Sequence, residues 1–290
     1  MATVIWGNPA RMMHGVTIIV PPRRWPSVNW RELWRYRDLF ITLAWRDISV
    51  RYKQTVFGMA WAVFQPLGAM VIFTFVFHRL AGIESGDGTP YPVFVYICML
   101  LWQYYAGVLT KASNALVANA YLLQKVRFPR LLLPATAVAT GLVELAIAAA
   151  VLAGLMLWYG CAVHLGGVLL LPLLLAIAML AALGGGLFLS ALHVKYRDVG
   201  HVLPFLIQLL MYVTPVIYPV SLLDGYPLLH GLMRWLNPLA AVITNARASL
   251  LGLAPIDGAA LGIAAISALA MFVGGLYYFR STEHHFTDVV

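Results

Sequence analysis

The sequence predicts an all-α membrane protein: six transmembrane helices, an amphipathic interface helix ahead of the first, and re-entrant helices between the fifth and sixth. Three observations lead there. Of 290 residues, 62% are hydrophobic and 10% charged, whereas a soluble surface of this size needs roughly a quarter of the chain charged. Several apolar runs are long enough to cross about 30 Å of hydrocarbon at 1.5 Å per residue. The cations fall almost entirely on one side of those runs, which fixes an orientation.

Residues 1–27 form a polar, basic extension broken by Pro21, Pro22 and Pro26. They contain no uninterrupted apolar core followed by a small-residue cleavage site, so they do not read as a signal peptide. Over 28–55 a helical wheel places Trp30, Trp34, Ile41, Trp45, Ile48 and Tyr52 on one stripe, with Arg31, Arg35, Arg46 and Lys53 beside it. Tryptophan at headgroup level next to arginine suits a helix lying in the cytoplasmic leaflet, although packing on a soluble partner suits it too.

Span 1 covers 56–78, a stretch without Asp, Glu, Lys or Arg. A turn-rich segment containing Gly86-Asp87-Gly88 leads to span 2 over 93–109, closed by Lys111. Span 3, over 131–158, is apolar except for Glu144. Span 4, over 168–192, carries Gly184-Gly185-Gly186, where its neighbours must pack closely. Span 5, over 202–220, holds Pro204, Pro215 and Pro219, which survive in lipid only where neighbours satisfy the freed carbonyls. Residues 221–258 are apolar but interrupted by Pro227, Pro238 and Pro255, so they read as re-entrant or interfacial helices. Span 6, over 259–279, is followed by a polar tail at 281–290 with His284-His285. Together, 56–280 form the transmembrane domain.

Six spans put both termini on one side. Sixteen of the Lys and Arg residues lie there, against Arg79, Arg234 and Arg247 opposite. The positive-inside rule makes that side the cytoplasm. The net charge of +8 is therefore topological, and no nucleic-acid partner is expected.

The candidate chemistry is sparse. Lys53, Lys111, Lys125 and Lys195 all lack an upstream phosphate-cradling glycine loop, so the chain is not expected to hydrolyse ATP alone. No catalytic or metal constellation is expected, and Cys98 and Cys161 support neither a disulfide framework nor a thiolate site. Glu144 costs on the order of 3 kcal/mol at mid-membrane and must face a polar or protein-lined environment. A proton relay and a packing role are both open, but with no basic partner in another span the relay is poorly equipped. Aromatic side chains crowd spans 1, 2 and 5, among them Trp61, Phe64, Tyr104, Tyr212 and Tyr218. Aromatic faces stack on sugar C–H faces, yet the same residues also populate ordinary membrane interfaces.

Several motifs stand together along the chain. They are Leu33-Trp34-x-Tyr36-Arg37-Asp38-Leu39 with Trp45-Arg46-Asp47-Ile48 and Val50-Arg51-Tyr52-Lys53, then Gly58-x-x-Trp61-Ala62 with Gln65-Pro66, and Lys125-Val126-x-Phe128-Pro129-Arg130. Tyr196-Arg197-Asp198, Thr214-Pro215-Val216-Ile217-Tyr218-Pro219 and Asn237-Pro238 complete the set. Over about residues 31–280 they resemble the type-2 ABC exporter permeases, the membrane subunits that export O-antigen and teichoic acid.

The resemblance implies a homodimer in the bacterial inner membrane with two copies of an ABC ATPase, ATP and Mg being held by the ATPase and no cofactor by this chain. It implies a lipid-linked substrate, an undecaprenyl-diphosphate-bearing polysaccharide taken from the cytoplasmic face. The stretch from Asn119 to Val126 is similar to the coupling helix that inserts in the ATPase, which gives Tyr121, Leu122, Gln124, Lys125, Val126, Arg127 and Phe128 a coupling role. Tyr196, Arg197 and Asp198 share it. Arg46, Arg51 and Lys53 become candidates for diphosphate capture, and Trp61, Phe64, Tyr104, Tyr212 and Tyr218 for the glycan path. Residues 221–254 match the family's gate helices. The rival readings are a lipid-modifying membrane enzyme, an ion-coupled carrier, and a small-lipid or drug exporter of the same superfamily.

Overall fold

The computed structural model describes residues 30–53, 60–223, 225–252 and 254–283. The expected extension, the edges of the interface helix, the first residues of span 1 and His284-His285 lie outside these. Among the described residues there is no strand.

Helix α1 (Trp30–Arg35) leads into α2 (Arg37–Lys53). Trp30, Trp34, Ile41 and Trp45 are exposed while Leu43 and Ala44 are buried, so the aromatic stripe faces away from the protein. Helix α3 (Trp61–Phe73) continues through a π-helical turn, Thr74–Leu80. Helix α4 (Tyr91–Ala118) starts with Pro92 in its first turn, where the missing N–H has no intrahelical partner to lose. A short α5 (Ala120–Lys125) precedes α6 (Leu132–Trp158), α7 (Leu165–Val168) and α8 (Leu171–Lys195). Helix α9 (Val199–Val213), a 3-10 turn (Val220–Leu223), α10 (Pro227–Leu236), α11 (Pro238–Leu251) and α12 (Gly258–Thr282) complete the chain. The carboxylate of Asp257 caps α12 by accepting from the Ala260 amide at 2.9 Å.

Among the described residues, five helical stretches are long and apolar enough to cross a membrane: Trp61–Leu80, Tyr91–Ala118, Leu132–Trp158, Leu165–Lys195 and Gly258–Thr282. The expected span at 202–220 differs. Its helix, α9, has 15 residues and reaches only about 22 Å at 1.5 Å per residue. Pro215 disfavours helix at Thr214, and the Thr214 hydroxyl folds back onto the Leu210 carbonyl at 2.7 Å. Buried Asn237 then donates to that hydroxyl at 2.7 Å, so the irregular segment after α9 is tied to the start of α11. The interrupted region after it forms the two short helices α10 and α11, separated at Asn237-Pro238.

Helices α4, α8 and α12 pack most extensively, and the glycine run of α8 explains how. A Cβ on Gly184 would lie 2.5 Å from the Phe272 backbone, and one on Gly186 would lie 2.6 Å from Ala112 Cβ. A Cβ on Gly275 would strike the Gly184 carbonyl. With lipid as apolar as leucine, close backbone approach and dispersion, rather than water exclusion, hold such helices together.

Two ends of the bundle are distinct. At one, Leu43, Leu116, Leu123, Leu131, Leu133, Ala191, Val194 and Phe279 form one buried cluster, gathering α2, the end of α4, α5, the start of α6 and the ends of α8 and α12. At the other, Asp87 pairs with Arg247 of α11 at 3.3 Å, and the Arg247 guanidinium lies 4.6 Å over the Phe94 ring. There the His164 amide donates to the Leu250 carbonyl at 2.9 Å, docking the α7 hairpin on α11.

Candidate functional site

Three residues of α6, Thr136, Thr140 and Glu144, recur every four positions and therefore share one helical face. Helix α2 runs along that face in the same direction. Asp47 accepts from the Thr136 hydroxyl at 3.2 Å, and one turn further on Arg51 pairs with Glu144. Lys111 of α4 approaches from the other side, its Nζ 2.6 Å from Glu144 Oε1 and 3.5 Å from the Thr140 hydroxyl. Glu144 thus sits between two cations.

This corrects the expectation that Glu144 lacks a basic partner in another helix. Lys111 reads as the terminator of span 2, but α4 continues to Ala118 and carries Lys111 on the face that meets α6. The signal in the sequence is the polar stripe of Thr136, Thr140 and Glu144 on an otherwise apolar span. A stripe of that kind requires polar neighbours.

The cluster lies where two grooves join. One, of about 780 Å³, is lined by Arg51, Trp61, Trp102, Tyr104, Lys111 and Glu144 together with apolar side chains of α3 and α4. The other, of about 560 Å³, runs past Arg46, Asp47, Asn114, Thr136, Thr140 and Glu144 toward the end of the bundle that carries α5 with Lys125 and Arg127, the basic end. Arg51, Thr110, Lys111 and Glu144 line both. The Tyr104 hydroxyl is buried with no hydrogen-bond partner among the described residues.

Arg46 binds Asp47 and the Asn119 side-chain oxygen, both at 2.8 Å, tying α2 to the α4–α5 junction. Of the candidates for diphosphate capture, Arg46 and Arg51 line the grooves. Lys53 is exposed at the end of α2 and is not among the lining residues. Of the candidates for the glycan path, Trp61 and Tyr104 are in the larger groove, while Phe64 and Tyr212 are exposed elsewhere on α3 and α9. The Tyr218 hydroxyl donates to the Val213 carbonyl at 2.9 Å and closes the turn after α9.

At the basic end, α5 buries Leu123 and exposes Tyr121, whose ring lies 3.9 Å from Lys125 Nζ. Gln124, Lys125 and Arg127 are exposed, and Leu122 is half-buried. Val126 leaves the helix in extended conformation with 48% of its surface exposed, whereas Phe128 turns back to pack against the buried cluster. Tyr196, Arg197 and Asp198 are exposed in the turn between α8 and α9, at the same end. Among the described residues no three His, Cys, Asp or Glu side chains are placed to hold a metal ion.

The sequence profile of the ABC-2 type transporters matches residues 38–251, from α2 through α11. The chain belongs to the ABC-2 type transporter family. This permease is 29% identical over 219 residues to an O-antigen export system permease protein, RfbA, of Myxococcus xanthus, covering 75% of this chain and 82% of that one. It is 24% identical over 253 residues to an RfbA of Klebsiella pneumoniae, covering 87% and 95% respectively. The polysialic acid transport protein KpsM of Escherichia coli is 24% identical over 246 residues, covering 82% and 91%. As an ABC-2 permease the chain is a multi-pass membrane subunit and not itself an enzyme, and the ATPase is a separate partner.

Proposed function

We propose that this permease is the membrane half of an ATP-driven exporter that moves an undecaprenyl-diphosphate-linked polysaccharide, LPS O-antigen, across the bacterial inner membrane. The observation that carries the reading is the joined groove. Its basic end offers Arg46, Arg51 and Lys111, and its continuation is walled by Trp61, Trp102 and Tyr104. A doubly charged headgroup gains from charge-assisted bonds at the first, and sugar faces stack on the second. The relatives named for O-antigen export agree with it.

In this reading the basic end is cytoplasmic, with both termini on that side. Helix α9 and the segment after it act as the fifth of six spans, α1 and α2 as the interface helix, and α10 and α11 as re-entrant gate helices. The working unit is two copies of the permease with two ATPase subunits. ATP binding draws the ATPases together, and exposed Tyr121, Gln124, Lys125, Val126 and Arg127, with the Tyr196-Arg197-Asp198 turn, receive the movement.

Depleting the chain in its native cell, and assaying surface polysaccharide together with lipid-linked glycan held inside, tests the proposal. Loss outside with accumulation inside is expected. An unchanged surface glycan would overturn it in favour of a small-lipid or drug exporter. The likeness to a polysialic acid transporter favours capsule export as the second reading, and the composition of the trapped glycan separates the two.

A further inference from the structure

Lys111 and Arg51 both bind the same atom, Glu144 Oε1. Two cations against one carboxylate leave an excess positive charge. None of the three is sealed: the Arg51, Lys111 and Glu144 side chains retain 48%, 29% and 26% of their exposure, and all three line both grooves. The other charged groups nearby are already engaged, Arg46 with Asp47 and Asp47 with Thr136. Because the group is only partly buried, its charges keep part of their solvation and stay within reach of an entering anion, unlike those of an enclosed ion pair. This one is open to the path and under-neutralised.

We infer that Glu144 is a placeholder anion that a diphosphate headgroup displaces, that Lys111 joins Arg51 in holding the headgroup, and that Glu144 sets a preference for two negative charges over one. A singly charged headgroup exchanges one anion for another and gains little. A diphosphate brings the second charge and enough oxygens to bridge both cations at once. The inference rests on the export of a diphosphate-linked lipid proposed above.

The test uses the full chain in nanodiscs of zwitterionic lipid. Three probes are titrated: a short polyprenyl diphosphate, phosphatidylglycerol and inorganic pyrophosphate. The wild-type chain is expected to bind the diphosphate lipid about tenfold more tightly than phosphatidylglycerol, a difference typical of one added charge-assisted contact. Glu144→Gln tightens both lipids and narrows the ratio between them, a gain that removal of a brace does not produce. Glu144→Asp, which keeps the charge but draws it back, gives a smaller gain and serves if the glutamine variant does not accumulate. Lys111→Met weakens the diphosphate lipid about tenfold. Pyrophosphate competes more weakly and follows the same order across the variants; indifference to them would overturn the inference by placing recognition in the lipid tail. No binding of the diphosphate lipid by wild type overturns both this inference and the proposed substrate. Binding that Glu144→Gln leaves unchanged or weakens overturns the inference alone.

Discussion

Helices α3 and α4 follow one another in sequence and differ little in apolar character, yet the protein uses them in opposite ways. In α4, 78% of the most apolar stretch is buried inside the chain; in α3 with its π-turn the share is 11%. Trp61, Phe64, Val71 and Ile72 of α3 and Phe75 of its π-turn are all more than half exposed, while Val93, Phe94, Val95 and Tyr96 of α4 are fully buried. In water this contrast would follow hydrophobicity. In lipid it does not, because a leucine gains little by moving from acyl chains to protein. What separates the two is the neighbour: α4 faces the glycine run of α8, which lets backbones approach, and α3 has no such partner among the described residues.

The largest effect is expected where the core depends on missing side chains. Gly275→Leu drives a side chain into the Gly184 carbonyl, and Gly184→Leu drives one into the Phe272 backbone. Neither clash has a flexible side chain to yield, so the cost exceeds the ~1–3 kcal/mol usual for overpacking. Loss of monodisperse protein after detergent extraction is the expected result. A well-behaved Gly275→Leu protein would remove close packing as the reason α4, α8 and α12 form the core.

Next comes the ion pair at the opposite end. Arg247→Ala leaves Asp87 with little solvent and strips the cation from the Phe94 ring, which costs about 3 kcal/mol by analogy with other largely buried pairs. A fall in thermal midpoint is expected in nanodiscs. The double variant Arg247→Leu with Asp87→Leu should recover much of that fall, since lost charge compensation is the dominant cost.

A third substitution separates coupling from packing. Val126→Asp places a charge on an exposed, extended residue, so the thermal midpoint should stay within the effect of about 0.5 kcal/mol usual at surfaces while export is lost. Phe128→Asp also disturbs the buried cluster that joins α2, α5 and α12, so stability should fall together with export. Normal export in cells carrying Val126→Asp would remove the coupling role from this segment.

Much of this contrast was legible in the sequence, and the reasons differ by residue. Gly184, Gly185 and Gly186 announced close packing because a membrane helix carries glycine at little gain otherwise. Pro227 and Pro238 marked the breaks that became α10 and α11. Arg46, Arg51, Trp61 and Tyr104 line the grooves while Lys53, Phe64 and Tyr212 do not, because residue type does not say which face of a helix looks inward. Lys111 was misleading, since a lysine after an apolar run looks like a helix end, and only the fold shows that Glu144 compensates it. Pro215 announces the early end of α9, but the bond from Asn237, 23 residues away, that ties Thr214 to the start of α11 is one that no local pattern encodes.

The smallest effect concerns α3 itself and is the most informative about its exposed face. If that face meets only acyl chains, Ile72→Ala and Phe75→Ala exchange one lipid surface for another and change stability by less than about 0.5 kcal/mol. If it meets a second copy of the chain, as the proposed homodimer requires of some exposed helix, the same substitutions open gaps in a packed interface. No acyl chain fills such a gap, so its dispersion attraction is forfeited and the oligomer weakens although the protomer stays folded. Native mass spectrometry of the double variant from mild detergent reads the two outcomes apart. A retained dimer assigns the face to lipid and moves the interface to exposed α9, where Phe205, Leu206 and Leu209 offer the next apolar surface. A shift to monomer makes α3 the helix whose partner lies outside its own chain.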